Sequence, residues 1–177
     1  MNFAELASKR QSDRKYTDSP VEKEKLQQCI ETTRIAPSAN NSQPWKFIVV
    51  DDPELTRKVA DCAASLGMNG FVKQAPVMVA VVLEKMNLLS KIGSVIRDKE
   101  FSLLDIGIAV NQFCLQAAEL GLGTCIIGWF NEKETKKLLS IPSGKRVPLL
   151  ISVGYPAGVT RVKVRKPLNE MSAWNKY

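Results

Sequence analysis

The chain has 177 residues, 45% of them apolar, enough for one globular domain with a sizeable buried core. Its formal net charge is +7 and it contains no histidine, which excludes Ser-His-Asp and Cys-His catalysis and every histidine-based metal site. The four cysteines, Cys29, Cys62, Cys114 and Cys125, lie far apart with no C-x-x-C pair, as befits buried thiols in a reducing compartment and not a disulfide framework or a zinc site.

The N-terminal stretch MNFAELASKRQSDRK has no unbroken apolar run of the kind a secretory signal needs, and no window reads as long enough to span a bilayer, so a cytoplasmic protein is expected. Ser19, Pro20 and Glu22 form a capping-box pattern with proline at the first helical position, which predicts a helix from about Pro20 to Ile35. APSANNSQPWKF follows at 36–47, a loop so dense in amides, serines and prolines that it suggests a ligand. Asx-type turns before a strand are the alternative for the loop, and a core position is the alternative for Trp45. WKFIVVDD, 45–52, is a short β-branched run. Asp52 and Pro53 then open a helix that carries Leu55, Val59, Cys62, Ala63 and Leu66 on one face and ends at Gly67.

APVMVAVVLE, 75–84, is continuously apolar, the mark of a central strand buried on both faces. The segment 84–100 that follows is too short for a large substrate lid. From Phe101 to Leu120, Ile106, Val110, Phe113, Ala117 and Leu120 recur at helical spacing, while Leu103, Ala109, Cys114, Leu115 and Ala118 widen the apolar surface. Such a helix belongs in a core or a subunit interface. GTCIIGWF, 123–130, reads as a third strand, Asn131 with Glu134 caps a short helix through Leu139, and VPLLISVGYP, 147–156, reads as a fourth strand. Residues from about 157 to 177 are an arm on a single domain 1–177. Strands interleaved with helices indicate an α/β or α+β sandwich around one sheet.

Most basic residues are interleaved with acids, as in VEKEK and NEKETKK, and read as solvated helix faces. KRQSDRK at 9–15 and RVKVRK at 161–166 are one-sided. No G-x-G-x-x-G follows a strand, and SGKR at 143–146 lacks the rest of a Walker A loop. An enzyme of this composition leaves the chemistry to a bound cofactor. Two basic clusters and an amide-rich loop suit a phosphorylated, planar, hydrogen-bonding ligand, and flavin mononucleotide has those features. A basic nucleic-acid-binding module is the competing reading from another class, but no RNA-binding or helix-turn-helix signature is present.

The order KRQSDRKY, APSANNSQPWKFIVV, QAPVMVAVV, ELGLGTCIIGWF and VRKPLNEM resembles the FMN-dependent nitroreductase family over nearly the whole chain. The resemblance implies an α+β three-layer sandwich, a mixed but mainly antiparallel sheet with helices on both faces, and an intertwined homodimer with FMN sites between subunits. It implies NADH or NADPH as donor, a small planar acceptor such as a nitroaromatic or quinone, ping-pong chemistry through flavin N5, and neither nucleic acid nor membrane as partner. The nearest enzymatic alternative is another branch of the same superfamily, the dehalogenating or flavin-fragmenting enzymes, which keep the FMN site and change the lid.

Carried over by position, Arg10, Ser12 and Arg14 should meet the FMN phosphate and ribityl chain, with Gln11 where many relatives have a second basic residue. Pro37, Ser38, Ala39 and Asn41 should meet the flavin of the other subunit, while Asn40 and Gln43 fix the loop. The backbone of Ile126, Ile127 and Gly128 should face the flavin ring. Lys163 and Arg165 should hold the phosphate, with Arg161 outside that pair, and Asn69 should reach the ribityl chain or the ring edge. No side chain is assigned a catalytic proton transfer.

Overall fold

A computed structural model describes residues 1–64, 67–85 and 100–177. The expectations for Leu66 and for the segment between 84 and 100 fall wholly or largely outside those residues. The fold is α+β. Four strands, β1 (Trp45–Val50), β2 (Val77–Leu83), β3 (Gly123–Ile127) and β4 (Arg146–Gly154), form one sheet in the order β1-β2-β4-β3 with every pair antiparallel. The parallel element of the expected mixed sheet is a single bridge outside the named strands, Ser12 to Thr124.

The unbroken apolar run of β2 is explained by burial on both sides. Its odd residues Val77, Val79 and Val81 enter one core, and Met78, Ala80 and Val82 enter the other. The first core lies under α2 (Lys23–Arg34) and α4 (Phe101–Glu119), through Leu26, Cys29, Ile106, Val110 and Phe113. The second lies under α3 (Pro53–Ala63), through Val59, Ala60 and Ala63, with Leu138 of α5 (Glu132–Leu138) packed against it. The three layers are therefore helix, sheet, helix. All four cysteines are buried, and none of them forms a disulfide.

Asp52 caps α3 by accepting the Leu55 N–H at 2.8 Å, and Asn131 caps α5 by accepting that of Glu134 at 3.1 Å, both as the sequence predicts. The start of α2 differs. It begins at Lys23 with Glu22 as its N-cap, not at Pro20. The Glu22 carboxylate is taken by the Tyr155 hydroxyl, 2.6 and 2.9 Å away, and by Lys25, so it does not close a box with Ser19. A short helix the sequence reading did not anticipate, α1 (Phe3–Lys9), is closed by a reciprocal capping box between Asn2 and Glu5. The last helix, α6, is Leu168–Met171 in the arm.

The expectation that no window could span a bilayer is corrected by α4, which by length and composition alone is long and apolar enough. Half of that stretch is buried inside this fold, where Ile106, Val110 and Phe113 pack on the sheet, and it is a core helix. On its other face Leu103, Leu104 and Ile108 are exposed, and among the described residues nothing lies within 4 Å of where a Cβ on Gly107 would be.

At the far end of β4, a Cβ on Gly154 would lie 2.6 Å from Pro76 Cδ and 2.9 Å from the Tyr16 ring. Neither ring can swing clear, because Tyr16 is buried and its hydroxyl is 2.8 Å from Ser152 Oγ. Gly154→Ala is expected to destabilise the fold by about 1–3 kcal/mol. Urea unfolding should show a lowered midpoint at unchanged slope; an unchanged midpoint would mean that the chain end is not packed there as described.

Candidate functional site

After α1 the chain runs extended along the open edge of β3. Ser12 bridges Thr124 in parallel, and the Asp13 N–H donates to Thr124 O at 2.8 Å. Alternate residues of an extended segment face opposite ways. Asp13 turns inward and is buried over Gly123, whose missing side chain is required because a Cβ would lie 2.8 Å from the Asp13 carboxyl. Arg10, Ser12 and Arg14 take the other face.

The C-terminal arm returns antiparallel to this segment. The Thr17 N–H donates to Tyr155 O and the Ala157 N–H to Lys15 O, both at 2.9 Å, with Tyr16 bridging Pro156 between them. Further along, the Arg161 N–H donates to Gln11 Oε1 at 3.0 Å and Arg161 Nη2 to Ser12 O at 2.5 Å. Lys163 Nζ reaches Ala7 O at 2.5 Å. The two ends enclose a cleft of about 330 Å³ whose lining includes Arg10, Arg14, Arg161, Lys163 and Arg165.

Among the described residues, none of these five cations forms an ion pair. Partial burial, together with the charges of Arg10 and Arg165, pushes the Lys163 ammonium below its ordinary range. The cluster repels itself and an anion would relieve it. Arg14 also lies over the Phe71 ring, 5.9 Å from its centroid, which steadies the guanidinium. Behind them the buried Cys125 thiol is pushed up by desolvation, a rise that Arg14 and Ser12 oppose. It is not poised as a nucleophile.

The structure thus brings Arg10, Gln11, Ser12, Arg14, Lys163 and Arg165 together, and adds Arg161, which the sequence reading left outside. The signal was there in the alternation of RVKVRK, which places 161, 163 and 165 on one side of an extended strand.

The loop residues Pro37, Ser38, Ala39 and Asn41 do not line the cleft. They form a separate structure next to α4, where the Ala39 N–H meets both carboxylate oxygens of the buried Asp105 at 3.1 and 3.2 Å. Asn40, Asn41 and Gln43 all have positive φ, at 49°, 53° and 45°. Asparagine tolerates this region, whereas glutamine in it marks a strained backbone held by its surroundings. Gln43 fixes the loop, its N–H donating to Ser38 Oγ and its amide to Asn41 Oδ1, both at 2.9 Å. Trp45 packs against the core.

Beyond the cleft, β3 presents Ile126, 42% exposed, while the Ile127 side chain is buried in the core and Gly128 is exposed. Trp129, which the sequence reading did not single out, is 57% exposed. The Asn69 amide donates to Ala63 O at 3.3 Å and Trp129 O at 3.1 Å. Its N–H groups tie α3 to the turn after β3.

The sequence profile of the nitroreductase family matches residues 7–69 and 63–155. The chain belongs to the nitroreductase family. It is 33% identical, over 88% of its length and 66% of the relative's, to a Bacillus subtilis (strain 168) protein named FMN reductase [NAD(P)H]. A nitroreductase family protein of Clostridium difficile 630 superposes with a TM-score of 0.83 at 29% identity, covering all of both chains. An FMN-dependent nitroreductase of Clostridium difficile R20291 does so with a TM-score of 0.79 at 30% identity, covering 97% of this chain and 98% of that one. The profile takes in the N-terminal half of the basic cleft and the strained loop, but stops at residue 155, before the arm.

Proposed function

We propose that this nitroreductase-family chain is an NAD(P)H-dependent flavin oxidoreductase that holds FMN by its phosphate in the cleft between its two ends. The observation that carries the reading is the set of five cations with no carboxylate partner among the described residues. A phosphate monoester carries a charge near −2 and three acceptor oxygens, so guanidinium and ammonium donors converging on one cleft suit it. The relatives named FMN reductase and FMN-dependent nitroreductase support the same choice.

In this reading Arg10, Ser12, Arg14, Lys163 and Arg165 hold the phosphate end, and the exposed backbone turn at Ile126–Gly128 faces the ring. Bound FMN would supply the redox chemistry, taking two electrons from NADH or NADPH at N5 and passing them in a second half-reaction to a nitroaromatic, a quinone or a similar planar acceptor. The chain's part is positioning and electrostatics, which is consistent with the absence of histidine. A nucleic-acid-binding role fits less well, because the cations converge on one cleft between the chain ends and do not run as a stripe along the surface.

The working unit is proposed to be a homodimer of a single domain, 1–177, with residues from about 157 onward as an arm. Two observations support it. The outer face of α4 leaves Leu103, Leu104 and Ile108 exposed, and such a face seeks a partner. The strained loop at 37–43 adjoins the same helix through Asp105 and does not reach its own chain's cleft. A second copy would let each loop meet the other's flavin.

Purified protein is expected to be yellow and to release FMN on denaturation. Loss of the Arg165 guanidinium removes a charge-assisted bond worth about 1.5–3 kcal/mol, so Arg165→Ala should bind FMN about ten- to a hundredfold more weakly in a fluorescence titration. Unchanged affinity would remove the arm from the site. Light scattering of the FMN-loaded protein should give a dimer mass; a stable loaded monomer would leave the α4 face and the loop unexplained and overturn the dimer.

A further inference from the structure

Gln11 lines the cleft, yet its side chain is spent inside the chain. Nε2 donates to Asp13 Oδ1 at 2.8 Å and to Val159 O at 3.3 Å, and Oε1 accepts the Arg161 N–H at 3.0 Å. One neutral amide thus joins its own strand to two points on the returning arm.

Its position matters because of what else holds the arm. Backbone-to-backbone pairing between the two chain ends stops, among the described residues, at Ala157. Beyond that point the other anchors are Arg161 to Ser12 O and Lys163 to Ala7 O. Both are cations of the self-repelling cluster, and both are groups an incoming phosphate would draw toward itself. The Gln11 amide is itself uncharged, so the repulsion among the cations does not act on it and a phosphate does not draw it away as it would a cation. Asp13, whose Oδ1 accepts the Gln11 amide, is buried over Gly123 and so held in place to receive it.

We infer that Gln11 is a positioning residue, a neutral latch that fixes residues 159–163 of the arm against the N-terminal strand and so assembles the phosphate-binding cleft before any ligand arrives. The inference rests on the cleft being the FMN-phosphate site. Holding the arm in advance removes an ordering cost from binding, which is how preorganisation raises affinity without a new contact. A second basic residue at this position would add a sixth charge to the cleft and could not accept the Arg161 N–H.

The test uses FMN-stripped full-length protein, wild type and Gln11→Ala, under limited trypsin digestion read by mass spectrometry. With the latch gone, cleavage after Arg161, Lys163 and Arg165 should accelerate about fivefold or more, with cleavage at sites in the domain core unchanged. FMN affinity should fall about tenfold, while the bound-flavin spectrum at saturation matches wild type, because no ligand contact is lost. Unchanged arm cleavage with weakened FMN binding would overturn the latch and make Gln11 a ligand contact. Faster arm cleavage with unchanged FMN affinity would overturn the claim that the latch assembles the site. Wild-type protein that binds no FMN defeats the cofactor reading instead, and the tryptic comparison still decides the latch. Should Gln11→Ala not fold, Gln11→Met keeps the length without the amide and gives the same readout.

Discussion

The pairing of the N-terminal segment with the edge of β3, at Ser12 and Thr124, is the contact on which the site depends. An edge strand must be covered or blunted, and here the covering segment carries Arg10 and Arg14. The same pairing turns Asp13 inward over Gly123, leaving the arginines on the other face. It also supplies the strand against which the arm returns, so both halves of the basic cleft are referred to one rigid sheet. Loosening that bridge would cost the protein its site before its core, because the two cores on either side of β2 involve neither Ser12 nor the arm.

Charge explains why the cleft is built in two halves. Five cations close together repel one another, and desolvation, followed by the charges of Arg10 and Arg165, holds the Lys163 ammonium below its ordinary range. Drawing them from opposite ends of the chain allows ligand binding and chain closure to reinforce each other, since an anion that bridges the halves also ties down the arm. The loop at 38–43 is held by a different device, with Asp105 and Gln43 keeping three left-handed residues in place. Strain of that kind persists only where the surroundings over-determine it, and Asp105 and Ser38 supply those surroundings here.

Local pattern sufficed for the elements whose cause is local. The continuous apolar run of β2 announced a strand buried on both sides, and Asp52 and Asn131 announced their helices. Where a partner distant in sequence intervenes, the pattern misled: Glu22 was assigned to a capping box three residues away, but Tyr155, on the other side of the chain, takes it. The Asn2–Glu5 box of α1 is equally visible, but that helix is only seven residues long and buries none of them, so no core position marks it in the sequence. For the site, the one-sided basic stretches were enough to nominate both halves of the cleft. That Arg161 joins them, that Gln11 binds the arm, and that the Asn69 amide serves the turn at Trp129 all depend on tertiary pairings between residues 60 to 150 positions apart.

The central claim is that phosphate recognition by the two chain ends holds the flavin, and comparing FMN with riboflavin tests it most directly. The two share the ring and the ribityl chain and differ only by the phosphate. With two or more charge-assisted bonds at about 1.5–3 kcal/mol each, FMN should bind at least about a hundredfold more tightly to the stripped protein, and the advantage should shrink as salt is raised. Equal affinity for the two flavins at low salt would contradict the account, since it would place the flavin somewhere the five cations do not reach.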